Sequence, residues 1–297
     1  MKLQMDMTKL MDAFDTESEC RAYLEVLRWP DGIACPRCKG TVISRIKARD
    51  QFDCDSCRYQ FSVMSGTIFH DSHLPLPKWF IATFLMCESR KGMSANQIKR
   101  ILGISYKTAW YLCHRIRAAM KDANPEPLTG TIEVDETYVG GKAHGVGRGN
   151  YRSRKKMVIA ALQREGDIRI STGEVNDRET LHGFIRQHAP NPSRVMTDEW
   201  PAYRGIADGD TTHETVVHSA KEYVRGDVHT NSVEGAFGLF KRSIVGSFHQ
   251  ISHKHLDRYL DEFEFRYNNR KNPYLFRDTM LKLISSPNVE YKKLTAA

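Results

Sequence analysis

Apolar and polar positions change rhythm twice along the 297-residue chain. Residues 17–28 (ESECRAYLEVLR) recur at helical spacing and stop at Trp29-Pro30, which predicts a short amphipathic helix. Closely spaced cysteines, glycines and aromatics follow, a texture that fits a small loop-rich domain. From 75 to 120 helical spacing returns in three blocks. Within them Ser94-Ala-Asn-Gln97 has the form of a capping box for a helix ending at Leu102, Gly103 supplies a turn, and Ser105 caps a second helix, YKTAWYLCHRIRAAM. From Thr131 the period becomes two: TIEVDETYV, MVIAALQ and IRISTGEV read as strands, 177–188 as a helix, and RVMTDEW as a fourth strand. The break between the two textures falls in KDANPEPLTG, 121–130, where two prolines, Asn124 and Gly130 interrupt every period.

Composition excludes a membrane-spanning chain. Mean hydropathy is -0.51, and the longest apolar run, 79–87, is far short of the roughly 20 residues a bilayer requires. Asp6, Asp12, Asp15 and Glu17 stand where a secretory signal needs a basic start and an apolar block, so a cytoplasmic protein with reduced thiols is expected. Charge is more informative by position than in total. The chain has 44 Lys+Arg against 36 Asp+Glu. Residues 72–121 hold nine basic residues and one acid, a net of +8, so the remaining 35 of each sign cancel. A cationic block on an otherwise neutral chain points to a polyanion, whose condensed counterions Lys and Arg displace. A second biased stretch, 140–156, has five glycines, six basic residues and no acid, and reads as a long loop able to touch phosphates.

Cys35-Pro-Arg-Cys38 and Cys54-Asp-Ser-Cys57 are two CxxC pairs 15 residues apart. Two such knuckles close one tetrahedral thiolate site, so zinc is the expected metal, with a structural role because four protein ligands leave no open position. Cys20, Cys87 and Cys113 are expected as ordinary buried thiols. The helix, Gly turn and helix at 94–120 follow the helix-turn-helix pattern. There the first residues of the second helix meet base edges: Tyr106, Lys107 and Thr108, with Arg115 and Arg117 nearer the DNA backbone and Trp110, Leu112 and Ile116 in the core.

The strand-rich half carries acids in a pattern that suggests a hard-metal site. Glu133 and Asp135 share one face of the first strand by alternation, and Asp198 follows the apolar start of the fourth. HTNSVEGAFGLFKR reads as a helix with Asn231, Glu234 and Lys241 roughly along one face, although Asn231 with Glu234 is equally the form of a capping box. Carboxylate oxygens are ligands of Mg²⁺, and a pair of such ions can drive in-line phosphoryl displacement.

These motifs together (CPRC…CDSC with YQFSVMSGTIFH, then IEVDETYVGGK, VMTDEWPAY and the run from HTNSVEGAFGLFKR to RYNNR) resemble the DDE transposases of bacterial insertion sequences, most closely the ISXO-like branch with an N-terminal zinc ribbon. The resemblance covers almost the whole chain. It implies an α+β multidomain protein: a helical segment at 1–30, a zinc ribbon at 31–73, a helix-turn-helix region at 74–122, a linker at 123–130, and an RNase H-like domain with a mixed five-stranded sheet at 131–290. It places the catalytic acids at Asp135, Asp198 and Glu234, holding Mg²⁺ or Mn²⁺, with Lys241 and Arg242 as DNA contacts. In part of this branch Asn fills the third position. Asn231 is therefore the rival of Glu234, which is preferred because an anionic oxygen binds Mg²⁺ better than a neutral amide. The implied partners are double-stranded DNA, both terminal inverted repeats and target, and further copies of the chain, as a homodimer or larger assembly on DNA. Two other classes share part of this pattern: a DNA-binding regulator with an inactive remnant of the domain, opposed by the intact acids, and another RNase H-like nuclease, which leaves the sequence-reading region unexplained.

Overall fold

The computed structural model describes residues 4–140, 155–190 and 193–296. It divides into two compact units, one of residues 1–121 with 271–297 and one of 122–270.

In the first unit, α1 (Met7–Ala13) and α2 (Glu17–Arg28) precede a three-stranded antiparallel sheet of β1 (Ile43–Ile46), β2 (Gln51–Cys54) and β3 (Gln60–Phe61). Thr16 and Glu19 close a reciprocal capping box at the start of α2. The helices α3 (Leu76–Glu88), α4 (Ala95–Leu102) and α5 (Tyr106–Met120) follow, and α9 (Leu275–Ser285) and α10 (Tyr291–Thr295) complete the unit. Helix α3 is buried nearly all round because α2, α5 and α9 each pack against it. Its Phe80 meets Phe14 at 4.9 Å and Phe276 of α9 at 6.0 Å between ring centroids. Those ring contacts explain a departure from the expected 131–290 domain: the strand-rich unit ends at Arg270, and the chain from Lys271 folds with the N-terminal helices.

The second unit is built on a mixed five-stranded sheet, as the fold class requires. Strands β4 (Gly130–Val139), β5 (Lys156–Gln163) and β6 (Ile168–Gly173) form an antiparallel meander. Strands β7 (Ser193–Thr197) and β8 (Thr212–Thr215) add in parallel beyond β4, giving the order β6-β5-β4-β7-β8. Helix α6 (Arg178–His188) covers one face through Leu181, Phe184 and Ile185, packed on Ile132, Val134, Met157, Ile159 and Ala161. Helices α7 (Asn231–Ser243) and α8 (Leu256–Asn268) cover the other through Val233, Phe237, Phe240, Leu260 and Phe263, packed on Val158, Ala160 and Leu162. Both faces of β5 are therefore buried, which is why it reads as the unbroken apolar run MVIAAL. On β4 the even-numbered Ile132 and Val134 face the α6 layer, which leaves Glu133 and Asp135 on the α7 side. Among the described residues, no helix is long and apolar enough to cross a membrane.

Candidate functional site

The four expected thiolates converge. The Sγ atoms of Cys35, Cys38, Cys54 and Cys57 all lie within 4.8 Å of one another. Each knuckle turns through a left-handed residue just after its second cysteine, Lys39 at φ 64° and Arg58 at φ 57°. The turns are closed by Lys39 N–H to Cys35 O at 2.9 Å and Arg58 N–H to Cys54 O at 2.7 Å. Gly40 sits in close approach, since a Cβ there would stand 3.0 Å from Ser56 Oγ and 3.3 Å from Cys38 Sγ and the Ser56 side chain would have to give way. Burial raises the Cys35 thiol, but the backbone N–H groups of Cys38 and Arg37 together with the Cys38 and Cys57 thiols bring it down to about 7, while burial and the neighbouring sulfurs push Cys57 up to about 12. Phe52 and Phe61 with Trp29 form the small core beneath. The donor set fits zinc and leaves no coordination position for a substrate.

The acids of the second unit come from three elements. Asp135 lies on β4. Parallel pairing of β4 with β7 runs as far as Glu133 opposite Met196, and Asp198 follows directly after the last residue of β7. Glu234 lies in the first turn of α7, which packs on β4 and β5. Their proximity registers electrostatically: burial first, then the charges of Glu136, Asp198 and Glu234, push the Asp135 carboxyl up to about 7. Asp198 is raised by burial and by Glu136 and Glu199, partly offset by the Trp200 N–H, which donates to Asp198 Oδ1 at 3.0 Å. Thr230 donates its hydroxyl to Glu234 Oε1 at 2.8 Å, and His218 Nε2 lies 3.5 Å from the same oxygen. Among the described residues only the cysteines form a group with all ligand atoms within 4.8 Å. The three acids do not meet that limit; their carboxylates are of the ligand type that Mg²⁺ takes, one or two directly beside several waters.

Asn231 is exposed and is itself the first residue of α7, with Thr230 at the N-cap position and no side-chain cap bond there, so the capping-box reading of Asn231 with Glu234 does not hold. Lys241 and Arg242 are exposed on the last turn of α7.

At 94–120 the helices, their caps and the left-handed Gly103 at φ 61° are as expected. Lys107 is exposed, its Nζ 4.7 Å from the Tyr291 ring centroid, and Thr108 shares its hydroxyl with Ser105 at 2.9 Å. Leu112 and Ile116 are buried, whereas Trp110 is only half-buried. Arg115 and Arg117, expected at the DNA backbone, are 3% and 1% exposed. Arg115 donates to His70 O at 2.8 Å and Asn288 Oδ1 at 3.2 Å, and Arg117 to Met93 O at 3.3 Å. The second half of α5 is enclosed by its own unit, so these guanidinium groups satisfy internal carbonyls and do not face a phosphate. Most of the basic 140–156 stretch lies outside the described residues.

Several polar groups around the acids are not marked by any sequence motif. Glu199 accepts from the N–H groups of His218 and Ser219 at 2.8 and 2.9 Å, bonds that bring its carboxyl down to about 2. Glu136 accepts from Tyr203 Oη at 2.5 Å and Asn176 Nδ2 at 2.8 Å. The adjacency of Glu136 to Asp135 and of Glu199 to Asp198 was the available signal. Their partners lie too far along the chain to be paired by pattern.

Comparison with known proteins agrees with this anatomy. Residues 127–268 match the model of the ISXO2-like transposase domain, and residues 15–60 match that of the transposase zinc-ribbon domain. The chain is 29% identical over 273 residues to an uncharacterized protein in transposable element ISH50 of Halobacterium salinarum, covering 85% of this chain and 91% of that one. A chain in the crystal structure of a pre-cleavage Mos1 transpososome aligns at 12% identity over 68% of this chain and 77% of that one, with a TM-score of 0.27, too low to carry weight. With its four thiolates gathered, the segment 15–60 is a transposase zinc ribbon, and the segment 127–268, on a mixed five-stranded sheet, is a transposase domain of the ISXO2-like family.

Proposed function

We propose that the protein cuts DNA at the terminal inverted repeats of its insertion sequence and joins the freed 3′-OH to target DNA, with Asp135, Asp198 and Glu234 as the catalytic acids. The observation that carries this reading is the gathering of those acids from β4, the end of β7 and the first turn of α7, close enough that each of the other two raises Asp135. Carboxylates that repel one another in a half-buried site are the donor set for a divalent cation, and Mg²⁺ or Mn²⁺ would be held there. When bound, such ions activate the attacking oxygen and stabilise the leaving oxygen of an in-line displacement. The chain's own groups orient the ligands: the Thr230 hydroxyl fixes one oxygen of Glu234, the Trp200 N–H fixes one of Asp198, and the Glu136 N–H fixes Asp135 Oδ1 at 2.8 Å.

Double-stranded DNA is the partner in this reading. In it Lys107 and Thr108 at the start of α5 would meet base edges, and Lys241 and Arg242, exposed on the last turn of α7, would meet phosphates. Two element ends are handled together, which calls for a homodimer or larger assembly on DNA, in a cytoplasmic, nucleoid-bound setting.

A strand-transfer assay on pre-cleaved ends tests the assignment. Asp135→Asn, Asp198→Asn and Glu234→Gln keep size while removing an anion. Each is expected to lower joining by orders of magnitude while binding to the ends survives. Asn231→Ala, which removes neither a cap nor a charge, should retain measurable joining. An active Glu234→Gln beside a dead Asn231→Ala would transfer the third position to Asn231.

A further inference from the structure

The N-terminus of α7 lacks the cap that its own sequence would supply. The first N–H groups of a helix have no intrahelical partner, and the side chain at the N-cap ordinarily accepts from the second or third of them. Thr230 occupies that position and makes no such bond, because its hydroxyl donates to Glu234. The missing acceptor comes from another element. Glu133 of β4, 0% exposed, accepts through Oε2 from Ser232 N–H at 2.7 Å and Val233 N–H at 3.1 Å, and through Oε1 from Ser232 Oγ at 2.9 Å. The same Oε1 accepts from Arg164 Nε at 2.7 Å and lies 3.2 Å from His229 Nδ1. Arg164 also donates to His229 O at 3.2 Å, so the segment entering α7 is held twice.

The placement of this clamp matters more than its strength. Glu133 stands two residues before Asp135 on the same face of the same strand, and Val233 directly precedes Glu234. The bond between β4 and α7 is therefore made beside both acids, and little free backbone remains between either acid and the clamp. We infer that Glu133 is a positioning residue: by capping α7 from β4 it sets Glu234 relative to Asp135, and hence the affinity of the acid pair for a divalent cation. The inference rests on the proposed assignment of those acids. A purely structural ion pair would stabilise the unit without affecting cation affinity in the folded protein.

The test uses the full-length, zinc-loaded protein as wild type, Glu133→Gln, Glu133→Asp and Glu234→Gln. Glu133→Gln removes the charge facing Arg164 and the α7 amides. Glu133→Asp keeps the charge but falls one methylene short of the helix, and serves if the glutamine variant does not fold. Mn²⁺ binding is followed by the paramagnetic resonance of the free ion, strand joining is measured against Mn²⁺ concentration, and hydrogen exchange is read at Ser232 and Val233. Both Glu133 variants are expected to bind Mn²⁺ about ten-fold more weakly or worse, the size usual for loss of a partner that orients metal ligands. Joining should recover as Mn²⁺ is raised, affinity for the element ends should be unchanged, and the two amides should exchange faster. Wild-type Mn²⁺ affinity in both Glu133 variants overturns the inference, even if the amides exchange faster, since the cap would then not govern the site. Wild-type Mn²⁺ affinity and joining in Glu234→Gln would instead bring down the assignment of the acids, and this inference with it.

Discussion

Replacing Arg115 by methionine separates a structural cation from a DNA-binding one. The guanidinium donates to His70 O and Asn288 Oδ1 and lies 5.0 and 5.1 Å from the ring centroids of Trp79 and Tyr111. Hydrogen bonds from a charged donor contribute about 1.5–3 kcal/mol each, and a desolvated cation over aromatic faces adds about 1–2 kcal/mol. Against this, burial alone lowers the Arg115 pKa, a sign of the desolvation the folded unit bears, and methionine recovers much of the packing. The balance is a loss of about 2–4 kcal/mol, because the two acceptors are left without their donor. Urea unfolding followed by tryptophan fluorescence should show it directly, since Trp79 adjoins the altered group. In parallel, the slope of log affinity for DNA against log salt should not change, whereas removal of a phosphate contact would flatten it by about 0.9. Lys241→Ala should give the opposite pattern, a flatter slope at unchanged stability. An unfolding midpoint at the wild-type value for Arg115→Met, together with a flattened salt slope, would refute the internal role.

Other expectations follow from single features. Chelation of zinc, or Cys35→Ser with Cys54→Ser, should unfold the knuckles and lower the zinc content from about one per chain to none, read by metal analysis and by the fluorescence of Trp29, which packs on Phe52 and Phe61. Gly103→Ala should destabilise the first unit by about 1–2 kcal/mol for conformational reasons alone, because φ is +61° and a Cβ there meets nothing within 4 Å. Burial pushes Glu264 up to about 7 although it accepts from Ile170 N–H at 3.0 Å. A carboxyl raised in the folded state holds a proton that the unfolded chain has released, so stability should fall as pH rises from about 4.5 through 7. Glu264→Gln should remove up to about 2–3 kcal/mol of that dependence in thermal melts at pH 5 and 8.

Local pattern was enough for the zinc knuckles, the capped helices at 94–120, the strands at 131–173 and the identity of the acid-bearing segments. In each case the determining interaction lies within a few residues: a CxxC turn, a cap bonding three residues on, or alternation along one strand. The short β8, Thr212–Thr215, left no trace in the pattern because its four residues are polar and owe their strand state to pairing with β7. The end of the second unit at Arg270 could not be seen either, since it depends on Phe276 finding Phe80 across almost 200 residues.

Basic residues show the same division. Charge and helical spacing treat Lys107, Arg115 and Arg117 alike, because a helix pattern records which positions share a face and not what covers them. Only packing by α3 and α9 decides that the two arginines bond internal carbonyls while Lys107 stays exposed. At the acids, sequence by itself determined which carboxylates exist and that Glu133 and Asp135 share a face. Tertiary structure decided their different employments. Glu133 is enclosed and spent on the N–H groups at the start of α7, 99 and 100 residues away in the chain, while Asp135 faces Asp198 and Glu234. An alternating pattern specifies a direction, and only the element that arrives from elsewhere determines whether a carboxylate meets hydrogen-bond donors or other carboxylates.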